Sequence, residues 1–539
     1  LSGATPTLTI AGTSYTVINA LGQAGDVTTP PANPTLQGMA ATKSLSGHFA
    51  LGSDIDASAT SSWNDGKGFT PIGSSNSPFL GMLDGLGHTI HNLTINQPIA
   101  YITSGTNINI GLFGVVGKSN SDAGIVQNIG LSGGVINGNL FVGALVGENY
   151  GTISNSYAAV TINGGRYSVG GLVGQNMGTI ENSYATGNVT VEYVHSSGMY
   201  SEGIGGLAGK SFGTINNCHA TGDVKGGYSI GGLVGKSNVS HIDNSYSTSN
   251  VDGINMVGGL VGELYAVNGH GNSTVRNSYA MGSVKGSSNV GGLVGQSNSY
   301  AGVMTANSVI NSYSTGSVQG EKNNIGGLIG AAQPDDTVSD SYWDKSTSGL
   351  STSAGGLGLT SDDMKTAASF KGFTFTSKPG EAGWVIIDVD GTLNNANGAA
   401  GATYPIRASK YSTTISNAHQ LQLMALAPDA SYRLSNDIIV LDTAVSVDLG
   451  FLPIGTSSVP FSGSFDGKNY TISNLTINRS DLSGVGLFGQ TSGATIKNVG
   501  LVEANVNGHS QVGGLVGVMN GGTLVNSYVM GRVTGSAED

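Results

Sequence analysis

Residues Val169 to Val189 read VGGLVGQNMGTIENSYATGNV. The opening hexapeptide returns as VGALVG at Val142, IGGLAG at Ile204, IGGLVG at Ile230, VGGLVG at Val257, Val290 and Val512, and IGGLIG at Ile325. Successive starts from Val142 to Ile325 lie 27, 35, 26, 27, 33 and 35 residues apart. Self-similarity at such a period marks a solenoid, because one unit cannot bury its apolar face alone and must stack on its neighbours.

Within the quoted stretch, VGGLVG reads as a first short strand and Gln175-Asn176-Met177-Gly178 as a turn. Thr179-Ile180-Glu181 reads as a second strand ending at Asn182-Ser183, and Tyr184 to Val189 as a third. Three short strands per turn predict an all-β chain, a right-handed parallel β-helix with Gly-rich coils of about 27 residues. Glycine beside each apolar residue is expected to turn the backbone at positive φ and to keep a narrow interior free of bulk.

Composition narrows the classes further. Glycine fills 88 of 539 positions without a G-X-Y period, which excludes collagen, and 38% hydrophobic content recurring in register excludes disorder. With 33 acidic against 21 basic residues, a net charge of −12 and no Lys/Arg run, neither nucleic acid nor an anionic membrane is an expected partner. No apolar stretch reaches the roughly 20 residues that span a bilayer, so membrane insertion of this chain is not expected. The opening LSGATPTLTI lacks the charged and apolar regions of a signal peptide, as in a mature or excised chain. The single cysteine, Cys218, permits no internal disulfide and stands where the sibling repeat has Ser183. It reads as a small packed residue.

Two columns of side chains follow from the register. Asn155, Asn182, Asn217, Asn244, Asn277, Asn311 and Asn526 each follow a second strand, with Asp340 in the same place. They predict a structural amide ladder along one corner. Two positions on stand Tyr157, Tyr184, Tyr246, Tyr279, Tyr313, Tyr342 and Tyr528, with His219 once. Strand parity puts these rings on the outside, as a stacked strip that also suits the apolar faces of sugar rings. On that reading Tyr157, Tyr184, Tyr246, Tyr279 and Tyr313 are the candidate glycan-binding residues.

A longer duplication organises the chain. The stretch FTPIGSSNSPFLGMLDG from Phe69 leads to HTIHNLTIN, and FLPIGTSSVPFSGSFDG from Phe451 leads to YTISNLTIN. LQGMA at Leu36 and LQLMA at Leu421 precede them. The expected domains are lead-in strands over 1–35, a first solenoid module over 36–345, a linking segment over 346–416 and a second module over 417–539. Within the linker, 362–370 is expected to form a short helix with Ser361 as its N-cap.

GGLVG followed by GTIENSYATG resembles the GLUG motif, and SYWDKSTSG through GLTSDDMK resembles the segment that closes such arrays. With the FxPIG lead-in, the chain is similar to the filamentous-haemagglutinin-like exoproteins of bacterial two-partner secretion. That resemblance implies a secreted or cell-surface adhesin, a monomeric rod holding cells in a biofilm matrix by binding extracellular polysaccharide or a surface glycan. GLUG arrays also resemble the non-catalytic region of certain IgA-cleaving metallopeptidases, but no H-E-x-x-H occurs here. A passive stalk that presents a distal binding domain is the alternative, and a polysaccharide-active β-helix enzyme the minor one.

An enzyme would need converging carboxylates or a Lys/Arg base. Asp54 with Asp56, Asp84 with His88, and Asp335-Asp336 are the candidates, yet Asp84 recurs as Asp466 in a matching Asp-Gly turn, which suits structure better. No enzymatic activity and no organic cofactor are expected. Asp388 and Asp390, with Asn394, leave a calcium loop open, although the later Glu of an EF-hand is missing. The longer intervals at 193–202, 265–273 and 297–308 are expected to project as loops.

Overall fold

The computed structural model describes residues 7–26, 34–41, 45–97, 109–118, 124–192, 201–267, 271–299, 306–440 and 449–537. Two compact units divide the chain, Leu1–Gly358 and Leu359–Asp539. The division falls inside the expected linker, and the lead-in strands belong to the first unit.

The first unit is a stack of parallel coils. Thr179–Glu181 pairs with Thr152–Ser154 on one side and Thr214–Asn216 on the other, and Val173–Asn176 pairs likewise with Val146–Asn149 and Ala208–Ser211. Paired tyrosines and the histidine give coil offsets of 27, 35, 27, 33, 34 and 29 residues from Tyr157 to Tyr342. The differences in length fall between paired strands, so pairing stays in register. At the start of the stack, Thr7–Ile10 folds back antiparallel on Thr13–Ile18.

Each coil is cut more finely than the sequence reading has it. VGGLVG bends at Gly171-Leu172, so Val169-Gly170 ends one strand and Val173–Asn176 begins another on a different face. The expected third strand also divides, into Tyr184–Ala185 and Val189–Val191. The glycines of the hexapeptide act by closeness, not by positive φ. A Cβ on Gly171 would lie 2.1 Å from the Gly206 carbonyl oxygen, and Gly206, Gly232, Gly259 and Gly292 each meet the next coil's glycine carbonyl at 2.1–2.2 Å. Only hydrogen fits there.

Positive φ belongs to two other corners. Asn155, Asn182, Asn217, Asn244, Asn277 and Asn311 all lie at φ 48–57. The residue before each hexapeptide is left-handed too, although it is Phe141, Ser168, Gly203, Ser229, Met256, Asn289 or Asn324. Between corners, one apolar residue per strand points inward: Ile153, Ile180, Ile215 and Ile242 are fully buried, as are Leu172, Leu207 and Leu233. Each such side chain contributes about 1.5–3 kcal/mol by burial.

In the second unit, parallel strands Thr414–Ile415, Ser431–Leu434, Ser464–Asp466, Thr495–Lys497 and Thr523–Val525 form the main sheet. The duplication is structural. Buried Gln37 clamps Thr70 through both its amide atoms (3.1 Å each), and buried Gln422 clamps Leu452 the same way (3.1 and 3.0 Å), so each LQ segment fixes the residue before its Pro-Ile-Gly. The expected helix at 362–370 is instead two 3-10 turns, Asp363–Lys365 and Ala367–Ser369. Asp362 rather than Ser361 holds the N-cap position of the first, without a side-chain cap bond, and Thr360 Oγ1 accepts from the Asp363 N–H and donates to the Asp363 carboxylate.

Candidate functional site

The aromatic column forms, but its exposure is corrected. Tyr157, Tyr184, His219, Tyr246, Tyr279 and Tyr313 stack with centroids 4.7–5.1 Å apart and planes within 10° of parallel. Tyr246, Tyr279 and Tyr313 are no more than 1% exposed, and Tyr157 and Tyr184 are half-buried. Strand spacing near 4.8 Å presses each ring face against the next, so no gap admits a sugar between them. Burial, and then the neighbouring Tyr184, raise the Tyr246 phenol far above its ordinary value. Tyr246, Tyr279 and Tyr313 therefore serve cohesion between coils.

The asparagine corner is a ladder in part. Asn155 Nδ2 donates to Asn128 Oδ1 at 3.1 Å, and Asn217 to Asn182 at 2.6 Å. Asn244 and Asn277 reach instead to Asn216 and Asp243, one residue short of the column. The side chain that closes the corner is the serine between Asn and Tyr. Ser183 Oγ accepts the Ser156 N–H at 3.1 Å and donates to the Glu181 carbonyl at 2.7 Å, and Ser245, Ser278 and Ser312 repeat the pattern. Cys218 keeps this place, fully buried, its Sγ donating to the Asn216 carbonyl at 3.2 Å. Sequence reading passed over these serines, although Ser recurs in every NSY. A second amide pair, Asn149 to Asn176 at 2.8 Å, is fully buried at the end of the VGxN strands.

A polar stripe crosses the unit where Glu148, Gln175, Lys210, Lys236, Glu263 and Gln296 fall in register. Glu202 bridges Lys210 (3.2 Å) and Lys236 (3.1 Å), and Lys236 also meets Glu263 (3.0 Å). Burial pushes the Glu202 carboxyl up, but Lys210 and Lys236 outweigh it and hold it below its usual range. Burial likewise opposes the Lys236 charge, and Glu263 with Glu202 raises it regardless. The lysines lie over Tyr167 and Tyr265, 5.7 and 4.8 Å from the ring centroids.

Of the acidic residues offered for catalysis, Asp54, Asp56, Asp84 and Asp336 are tied to backbone. Asp54 accepts from the Thr89 N–H at 2.9 Å and faces His88 Nδ1 at 3.1 Å; its counterpart Asp437 accepts from the Thr471 N–H at 2.7 Å. Asp56 caps Ser58, and Asp336 accepts from the Gln333 N–H. Asp388 is buried and accepts from Thr392 Oγ1 and the Asn395 N–H, while Asp390 accepts from the Thr392 N–H and hydroxyl. Burial raises the Asp388 carboxyl, and bonds from Thr392 lower that of Asp390. Among the described residues no three His, Cys, Asp or Glu converge as a metal site.

The expected loops lie largely outside the description: residues 193–200, 268–270 and 300–305 are not among the described residues.

The foot of the ring column is a different place. Below Tyr157 the register partner is Gly130, where a Cβ would lie 2.4 Å from the ring, and the Tyr157 hydroxyl reaches past it to Thr89 at 3.0 Å. An open recess of about 420 Å³ begins there, walled by Leu86, Gly87, Ile129, Gly130 and Tyr157 and edged by the amides of Asn128 and Asn155. Asp84 anchors it, accepting from the Leu86 N–H, Gln127 and Asn128 at 2.7–2.9 Å. Leu86 is 43% exposed at φ 52, a conformation that costs a side chain about 1–2 kcal/mol. Sequence reading took this turn as structure alone; the leucine in a turn that favours Gly, Asn and Asp was the signal.

A model of the GLUG motif matches residues 165–190 and 200–225. The chain thus contains a GLUG repeat region. It is 44% identical over 122 residues to halomucin of Haloquadratum walsbyi, covering 22% of this chain and 1% of that protein. It is 40% identical over 111 residues to a protein of Evansella cellulosilytica named as a Gly-rich membrane protein, covering 20% and 12%. The chain therefore spans a small fraction of either relative. Among solved structures it is similar to an IgA1 protease (TM-score 0.36, 19% identity, 52% of this chain and 21% of that one). An immunoglobulin A1 protease of Bacteroides ovatus gives a TM-score of 0.34 at 18% identity, over 67% and 86%. No described helix is long and apolar enough to cross a membrane.

Proposed function

We propose that this chain is a repeat segment of a secreted or surface-attached adhesin, a right-handed rod that holds cells within a polysaccharide matrix by binding glycan. The observation that carries this reading is the stack of the first unit: parallel coils joined by ring, serine and amide columns repeat one surface, while Asp54, Asp84, Asp388 and Asp437 are engaged in turns and strand ends. A relative named as a membrane protein supports a place at the cell surface, and export by two-partner secretion belongs to the same reading. The buried ring column favours a second reading, in which the rod only spaces a distal domain. Display on a non-aggregating cell separates the two. Retention of the displaying cells in a polysaccharide matrix is expected; folded display with no retention overturns adhesion and leaves the stalk.

A further inference from the structure

The residues around the recess beneath Tyr157 have counterparts in the second unit, with Val499 for Ile129 and a different turn. Asn498, Gly500, Asn526 and Tyr528 repeat Asn128, Gly130, Asn155 and Tyr157, and a Cβ on Gly500 would again lie 2.4 Å from the ring. Asn526 donates to Asn498, which donates to Asp466, as Asn155 donates to Asn128 and that to Asp84. The turn differs: Lys468-Asn469, at φ 53 and 68, stands where the first unit has Leu86-Gly87 at φ 52 and 85. Asp466 accepts the Lys468 N–H at 2.9 Å as Asp84 accepts that of Leu86 at 2.8 Å, so the turn folds with either residue.

Leu86 is therefore not needed by its turn. It holds a left-handed backbone that disfavours it and keeps 43% of its surface exposed. The turn fixes the left-handed backbone in both units, at Leu86 and at Lys468, but not the residue, so an exposed leucine is available to serve the recess. The recess is of small-ligand size, about 420 Å³. Its walls are apolar at Leu86, Ile129 and the Tyr157 ring, and its rim is carboxamide. Asn155 is exposed and gives one N–H to Asn128, which leaves its amide a second donor for a ligand. No charged side chain lines it.

We infer that this recess binds one neutral pyranose of a polysaccharide, the sugar's C–H face against Leu86 beside the edge of the Tyr157 ring and its hydroxyls on Asn155. The site rests on the glycan-binding reading above and gives it a location away from the buried rings. Lys468 removes the apolar wall in the second unit, so one sugar binds per chain.

The test is calorimetric titration of the full chain with cello-, laminari- and mannohexaose and with an oligogalacturonate. Binding of one neutral oligosaccharide at one site is expected, weakened about tenfold by Leu86→Gly, the loss of one apolar contact. Glycine relieves the positive φ, so the variant should melt no lower than the parent. Lys468→Gly should leave affinity unchanged. Binding that survives L86G, or binding of the acidic oligomer alone, overturns the site while adhesion still stands. No binding by the parent also overturns it, and the cell-display assay judges adhesion separately.

Discussion

Asn182 sits at φ 50, so its corner requires left-handed backbone before it requires an amide. Asn182→Gly should therefore leave stability nearly unchanged, whereas Asn182→Ala should lose about 1–2 kcal/mol in denaturant unfolding. Equal losses would mean that the amide bond dominates. At the ring column, Tyr279→Ala should destabilise the first unit by about 3–5 kcal/mol, since a fully buried ring leaves a cavity between two stacked neighbours. Equilibrium unfolding measures it. The asparagine and tyrosine positions were legible because those residue types recur. The corner before each hexapeptide was not, since Phe141, Ser168, Met256 and Asn324 share a backbone conformation and no chemistry. Ring exposure also escaped, because parity gives a side chain's direction and not what covers it.

The coil is held by contacts at the element scale that tolerate no added atom. Gly206→Ala would drive a methyl to 2.2 Å from the Gly232 oxygen, so this variant should fail to give soluble folded protein, as read by circular dichroism and size exclusion. A soluble, native-like Gly206→Ala would contradict the account of the glycines. The motif's period made the coils legible, whereas the cut at Gly171-Leu172 was not. VGGLVG reads in sequence as one short apolar strand, although its buried residues Val169, Leu172 and Val173 do not alternate and so mark the bend. The linker helix failed for a local reason: Thr360 closes on Asp363, and the chain then turns again at Thr366.

Over the whole molecule, three titrating groups shape the pH response, His419 and Glu202 on the acid side and Lys236 on the alkaline side. His419 in the second unit is buried neutral, and burial, then Lys410, lower its pKa to about 3. The unfolded chain takes that proton near pH 6.5, so stability is full above 6.5 and falls on acidification by about 1.4 kcal/mol per pH unit. His419→Gln should flatten this slope in unfolding monitored between pH 7 and 5. In the first unit Glu202 is held low and Lys236 high, so their network stabilises fully between the ordinary carboxylate and lysine values and fades outside that window. Repeats and duplication were legible at this scale; the recess was not, because it is made by Gly130 lacking a side chain beside Leu86, two residues unremarkable when apart. The most direct measurement is sedimentation of the purified chain with a panel of insoluble and gelled polysaccharides. Saturable binding to a neutral polymer is predicted. Folded protein that remains in the supernatant across the panel would contradict the account.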